Sequence, residues 1–290
     1  MLPNVFKDSK EYSFYKYSEE VVLPQMKKLA KKVSSNTKKE AMIGIYYRCH
    51  GVLFSMIKLN TVHDFQCYSM GCRLTFELLV DAWAISKELV DDGPKKYVEF
   101  SEYDKWRMAM DIRDYYSKLK DAGNKEDAQK FFDIWEPSIA YEDRMDPKKK
   151  SQWSELWLNA RTADAKKSIN YWFHTKGHIK NTYEMVEKIN DYQIKNNISP
   201  RILTMYHELY KPMSQQVHGG IAGQLGNKDL IVSRYKLAVI HMYQLTYQLL
   251  DLMAETANTK KYSDWMAHLI KKKYRGLLNT QVGDAVALDH

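Results

Sequence analysis

Two charged side chains interrupt a long apolar stretch of this sequence and are the first candidates for chemistry. Between Asp64 and Asp81 the only formally charged residues are Arg73 and Glu77. A spacing of four residues places both side chains on one face of a helix, where they can pair. Because an unpaired charge is costly to bury, two interpretations follow. The pair is either a structural ion pair that also holds a neighbouring helix, or an anion-binding arginine in a cavity, oriented by the glutamate.

A second group of polar residues is spaced regularly further along the chain. Tyr210, Ser214 and His218 are four residues apart, which would align a phenol, a hydroxyl and an imidazole on one helix face. Pro212 lacks a backbone donor and clashes with the preceding turn, so we expect a kink or a restart of the helix near Lys211, which would displace Tyr210 from this line. Two glycines follow His218 and end the helix. His218 is therefore either a capping or packing residue, or an acid/base group whose protonated form the helix dipole favours.

The combined pattern resembles a family of uncharacterised all-helical bacterial domains found in defence and mobile regions. That pattern is an Arg and a Glu four residues apart in a central apolar helix, followed by Tyr-x-x-x-Ser-x-x-x-His-Gly. Here the last two positions of the pattern are His218 and Gly219, and the resemblance covers residues 40–257. It implies an all-helical fold and assigns no activity.

This family is distantly similar to the HEPN superfamily of helical bundles, whose nuclease members carry an Arg followed a few residues later by a His. The matching residues are Arg201 and His207, and the family's usual polar residue after the Arg is replaced here by Ile202. The resemblance implies a metal-independent endoribonuclease of the toxin or antiviral defence type. In such an enzyme a histidine assists attack by the 2′-hydroxyl and an arginine stabilises the charged phosphate, in a cleft shared by two subunits. His218 and Arg73 form an alternative acid/base and anion-binding pair.

The overall composition is that of a globular, helical protein. The chain has 290 residues, of which 44% are hydrophobic and 28% charged, with only 12 Gly and 7 Pro. These values exclude a chain that is disordered as a whole, a collagen-like fibre and a membrane channel, and they argue against a many-turned β-sandwich or barrel. No window is apolar for the length of a bilayer span, and the amino terminus has no signal pattern, so we expect a cytoplasmic protein.

Positive charge is concentrated near both ends of the chain. The formal net charge is +8, with six lysines and no acid in residues 21–39 and six basic residues against one aspartate in residues 258–277. These segments are either solvated helix faces or a surface for the phosphates of RNA, and membrane contact is the less favoured alternative. The predicted partners are RNA, a second copy of the chain in a homodimer, and a protein partner or activator.

Metal and cofactor chemistry lack support in the sequence. The three cysteines, Cys49, Cys67 and Cys72, lie in apolar helical segments and are expected to be reduced and buried, with no disulfide framework. His63 and Cys67 share a helix face, but Cys72 lies off that face, so zinc is not predicted. The chain contains no HExxH, CxxC, GxSxG or phosphate-binding glycine loop, and we therefore predict no metal and no cofactor.

Hydrophobic periodicity predicts an all-α fold, a single bundle of about ten helices with no significant sheet. The predicted helices cover residues 12–33 with a kink at Pro24, 38–59, 61–90, 95–118, 124–135, 150–174, 178–196, 200–218, 228–257 and 260–275. The helices at 38–59, 61–90, 200–218 and 228–257 are expected to form the core, and Ser199 is expected to cap the helix that begins at Pro200. We predict one domain over residues 1–290, with a core at 38–257, basic helices at both ends and a disordered tail at 276–290. The segment Glu136–Lys150 contains two prolines and is predicted as a surface loop and as the seam between two halves.

Two functions of different classes are compatible with these features. The first is an RNA-directed effector of the HEPN-like type. The second is a non-catalytic binding or ligand-sensing module, in which Arg73, Glu77, Tyr210, Ser214 and His218 form a structural polar core. An enzyme needs these groups open to a cleft, whereas a structural core predicts an Arg73–Glu77 pair that is mutually satisfied and closed off from solvent.

Overall fold

The structure is a computed structural model, and it describes eleven stretches of the chain, with gaps between them. The described residues are 15–16, 18–31, 37–56, 58–59, 65–143, 146–153, 181–199, 201–217, 245–246, 248–253 and 255–256. These residues are predominantly helical and contain no strand, which confirms the all-α prediction for this part of the chain. None of the helices within these stretches is long and apolar enough to cross a membrane.

The helices of the described residues follow one another in chain order. Their bounds are α1, a π-helical turn Ser18–Val22 continued by Leu23–Ala30; α2, Thr37–Met56; α3, Phe65–Ser86; α4, Gly93–Asp121; α5, Lys125–Asp143; α6, Thr182–Lys195; and α7, Ile202–Met205, a π-helical turn Tyr206–Tyr210 and Lys211–Val217. Residues 147–153 are also helical, as are the described residues between 245 and 256, here called the carboxyl-terminal helical segment. The interruption predicted at Pro24 takes the form of the π-helical turn that ends at Val22.

The chain divides into two compact units. Unit 1 is Met1–Pro94 with Asn181–His290, and unit 2 is Lys95–Lys180. The seam predicted at Glu136–Lys150 is therefore wrong, because this segment lies inside unit 2. The prediction of a single domain over residues 1–290 is not tested by this division.

Helix α3 is the centre of unit 1. It packs against α2, α6 and α7. Five side chains that recur at steps of three and four residues along it are buried, which are Ser69, Cys72, Phe76, Leu79 and Trp83. Leu78 and Val80 are buried as well, so α3 is covered on more than one side. The prediction that this helix belongs to the core is confirmed.

Buried polar contacts join the carboxyl-terminal helical segment to the rest of unit 1. The indole nitrogen of Trp83 donates to Gln248 Oε1 at 3.3 Å, and Gln248 Nε2 donates to the sulfur of Met205 at 3.7 Å. Lys87 and Glu255 add an ion pair at 3.0 Å. The two contacts of Gln248 satisfy polar groups that would otherwise be costly to bury, whereas the ion pair is exposed.

The start of α7 differs from the prediction. The helix begins at Ile202, and the backbone N–H of Ile202 donates to Gln193 Oε1 at 2.8 Å. The predicted capping role of Ser199 is wrong, because a fully buried glutamine from α6 satisfies the first N–H of the helix instead. Helix α6, predicted to pack around the core, packs against α3 and α7 and contributes the buried side chains Met185, Val186 and Ile189.

Unit 2 is built on α4, α5 and the helical residues 147–153. Gly123 adopts a φ of 79° after the end of α4, a conformation that glycine allows at little cost. The aromatic core consists of Tyr103, Trp106 and Trp153, with Tyr103 and Trp153 edge to face at 5.9 Å between ring centroids. Lys149 pairs with Glu102 at 3.0 Å beside this cluster.

Helix α5 continues through a segment that was predicted to be a loop. It extends to Asp143 with Pro137 inside it, and a further helical stretch begins at residue 147. The loop prediction for Glu136–Lys150 is wrong for a physical reason. Asp133 and Pro137 are both exposed, so water can bond to the carbonyl group that the proline leaves without its helical donor.

Candidate functional site

Arg73 and Glu77 form the predicted ion pair on α3. Arg73 Nε donates to Glu77 Oε1 at 3.0 Å. The exposed fractions of the two side chains are 25% and 33%. The pair is therefore mutually bonded, as a structural core predicts, but it is not closed off from solvent as such a core would be.

Tyr210 of α7 completes a cluster with this pair. Its hydroxyl donates to Glu77 Oε1 at 3.0 Å, and its ring centroid lies 5.8 Å from the guanidinium carbon of Arg73. The ring is held by Tyr206, stacked at 5.3 Å, and by Phe76 at 4.9 Å. We call Arg73, Glu77 and Tyr210 the polar cluster.

The path of α7 explains how Tyr210 reaches Glu77. The interruption predicted near Lys211 is confirmed, and its form is the π-helical turn that ends at Tyr210. A π-helical turn holds one residue more than an α-helical turn. This relieves the conflict that Pro212 would create in a regular helix. Leu209 and Tyr210, the last two residues of this turn, are both buried.

The electrostatics of the polar cluster keep Arg73 charged. Partial burial alone would lower the pKa of Arg73, but the hydrogen bond and negative charge of Glu77, together with Tyr210, outweigh burial and raise it. An arginine with a raised pKa does not exchange protons near neutral pH. Arg73 can thus bind or orient an anion, and it does not serve as an acid or a base.

The polar cluster borders an open cleft between α2 and α3. The cleft has a volume of about 770 Å³, and Arg48, Arg73 and Glu77 contribute its charged lining. The rest of the lining is mainly apolar and includes Val52, Met56, Leu59, Met70 and Leu74. A volume of this size is typical of small-molecule sites, which combine apolar walls with a few polar groups.

Two small residues shape the wall that α3 contributes to the cleft. A Cβ atom on Gly71 would overlap the thioether of Met56, so the glycine lets this side chain lie against α3. Cys67 also lines the cleft and is exposed, whereas Cys49 and Cys72 are buried. The prediction of three buried thiols is wrong for Cys67, because it lies near the start of α3 on the side that faces the cleft.

The other predicted site residues are not joined to the polar cluster in the described part of the chain. Ser214 lies partly buried in α7, and no described contact links it to Tyr210. His207 is exposed, and its ring contacts Tyr183 at 6.1 Å and Tyr206 at 5.3 Å. Arg201 Nη1 is buried without a hydrogen bond. No described contact joins Arg201 to His207, and His218 lies outside the described residues.

A buried network between α1 and α2 was missed by sequence reasoning. The hydroxyl of Tyr46 donates to the carbonyl oxygen of Ser18 at 2.6 Å and lies 2.8 Å from Ser18 Oγ. Since the phenol proton is used on the carbonyl, Ser18 Oγ donates to Tyr46, and the contact of 2.9 Å to His50 Nδ1 requires an Nδ1–H. Tyr15 stacks on the His50 ring at 5.0 Å. Ser18 is fully buried, so its hydroxyl is a structural group and not an accessible nucleophile.

This network shifts the titration of its members. Burial lowers the pKa of His50, Glu19 opposes this shift and Lys27 adds to it. Burial likewise raises the pKa of Tyr46. In the sequence, the network is indicated by His50 alone, as a lone histidine in an apolar helix. Ser18 lies 32 residues earlier in the chain, so no spacing pattern connects the two residues.

Comparisons with protein-family models, with curated proteins and with solved structures give no match. The described residues contain no group of three or more His, Cys, Asp or Glu side chains that could hold a metal ion. The resemblance to HEPN-like domains therefore stays a prediction, as do the candidate residues taken from it.

Proposed function

We propose that this protein is a ligand-binding helical module whose site is the cleft between α2 and α3. One observation carries the proposal. Arg73 and Glu77, bonded to each other and held from behind by Tyr210, form part of the wall of an open and otherwise mainly apolar cleft of about 770 Å³. Binding sites of this kind hold an apolar body and orient it with a small number of fixed polar groups.

The hydrogen bonds of the cluster favour binding over acid–base catalysis. Tyr210 uses its single hydroxyl proton on Glu77, and Glu77 Oε1 also accepts from Arg73 Nε. Groups that fix one another in this way form a preorganised wall, which lowers the entropy lost when a ligand binds. This arrangement supports the binding module more than the RNA-directed effector.

The proposal is tested with Nile red, an uncharged apolar dye that fluoresces in apolar sites. We expect saturable one-to-one binding by the full chain. Ser55→Trp should weaken it strongly, because Ser55 is exposed and lines the cleft, so that an indole there occupies part of the site. The matched control is Gly44→Trp on an exposed part of α2 with open space around it, which should bind like the parent chain. Absence of saturable binding, or equal binding by Ser55→Trp, would overturn the proposal.

The RNA-directed effector is the second candidate function, and one observation favours it. His207 is exposed and flanked by the rings of Tyr183 and Tyr206, on which a base could stack. The test is incubation with a mixed RNA pool in EDTA, with His207→Ala and His218→Ala variants compared with the parent chain. Cleavage that persists without metal and is lost in one variant supports this candidate, and an intact pool at all protein and salt concentrations opposes it.

A further inference from the structure

The cleft between α2 and α3 has a charged end and an apolar end. The two helices run antiparallel, since Met56 at the end of α2 meets Gly71 near the start of α3, and Lys38 pairs with Glu88 beyond the opposite end at 2.7 Å. Met56, Leu59, Cys67 and Met70 therefore lie toward the connection between the helices. The lining residues Arg48, Arg73 and Glu77 lie further from it.

The charged end carries one positive charge in excess. Glu77 compensates Arg73 through the ion pair at 3.0 Å. Arg48 is exposed on α2, and no acidic side chain of the described residues pairs with it. Among the described lining residues, two arginines and one glutamate thus leave a net charge of +1.

The apolar end has room for an extended chain. Met56 follows Arg48 by eight residues in one helix, which corresponds to about 12 Å along its axis. Val52 and Leu74 line the interval between them. Met70 is 53% exposed, so an apolar surface is available at this end of the cleft.

From this polarity we infer that the ligand is a single-chain amphiphile with a carboxylate head group, of the medium-chain fatty acid class. The inference rests on the proposed function of the cleft. The carboxylate pairs with Arg48 beside the fixed guanidinium of Arg73, and the chain lies along Val52 and Leu74 toward Met56. A head group of charge −1 balances the excess of +1, whereas a phosphate monoester, with a charge of roughly −1.5 to −2, is left partly uncompensated.

The test compares decanoate, decan-1-ol and decyl phosphate by displacement of Nile red from the full chain. We expect decanoate to bind at least ten times more tightly than decan-1-ol and more tightly than decyl phosphate. Arg48→Gln should reduce the decanoate affinity to that of decan-1-ol and leave the decan-1-ol affinity unchanged. The control Lys125→Gln removes an equal charge from unit 2 and should keep the preference.

A second readout locates the chain of the ligand. Cys67 is exposed at the apolar end of the cleft, so bound decanoate should slow its reaction with a maleimide at least several-fold. Equal binding of decanoate and decan-1-ol, a preference for decyl phosphate, a preference that survives Arg48→Gln, or an unprotected Cys67 would each overturn the inference while leaving the cleft a binding site. Failure of Nile red itself to bind would instead refute the proposed function.

Discussion

The bond between Tyr210 and Glu77 gives the sharpest test of the polar cluster. Tyr210→Phe removes only the hydroxyl that donates to Glu77 Oε1 at 3.0 Å and keeps the ring in contact with Phe76 at 4.9 Å. A hydrogen bond to a charged group contributes roughly 1.5–3 kcal/mol. Glu77 is 33% exposed and water can replace part of that bond, so we expect a loss of about 1 kcal/mol in the free energy of unfolding.

Equilibrium unfolding in urea measures this loss. The midpoint should fall while the slope of the transition stays unchanged, because the surface exposed on unfolding is the same. Glu77→Gln and the double variant complete a cycle, in which we expect a coupling of about 0.5 kcal/mol or more. The control Tyr115→Phe removes the hydroxyl of an exposed tyrosine and should not change the midpoint. Unchanged stability in Tyr210→Phe, or strict additivity in the cycle, would refute the contact.

Three further predictions follow from other parts of unit 1. The native chain should show one thiol that reacts quickly with a maleimide, Cys67, and three after denaturation, as counted by mass spectrometry. Because burial lowers the pKa of His50, the neutral imidazole should contribute its full share to the free energy of unfolding above about pH 6.5, and this contribution should be lost as the pH falls toward the pKa of the folded state. The urea midpoint of the parent chain should therefore drop between pH 7.5 and pH 5.0, and that of His50→Gln should drop less. Gly71→Ala should change the free energy of unfolding by less than about 1 kcal/mol, since alanine is a better helix former and this offsets the crowding of Met56. The same variant should weaken Nile red binding, because the displaced Met56 side chain moves into the cleft. A large loss of stability with intact binding would contradict this prediction.

The features predicted correctly depend on local pattern. Arg73 and Glu77 could be found because charge is scarce in an apolar helix, and a four-residue spacing fixes their geometry. Tyr210 could be selected by its spacing, and the interruption of α7 by Pro212. Such signals need only the helix period and the chemistry of one residue.

The features that were missed depend on contacts between distant parts of the chain. Ser199 is a good cap by type, but Gln193 from the preceding helix takes that role. Arg48 entered no predicted site, since only the antiparallel packing of α2 on α3 brings it to the same cleft as Arg73. Ser18 meets His50 across 32 residues, a separation that periodicity within one helix does not report.

The π-helical turn of α7 allows two adjacent residues to perform different tasks. Leu209 fills the core while Tyr210 bonds to Glu77, although neighbouring positions in a regular helix point about 100° apart. Deletion of Glu208 would restore the regular phase of the helix and rotate the residues after it by about 100° relative to those before it, so that Tyr210 would no longer face Glu77. A related chain one residue shorter at this point would keep its apolar seam and lose the tyrosine that bonds to Glu77. The length of this turn therefore distinguishes chains that share the fold from chains that share the site.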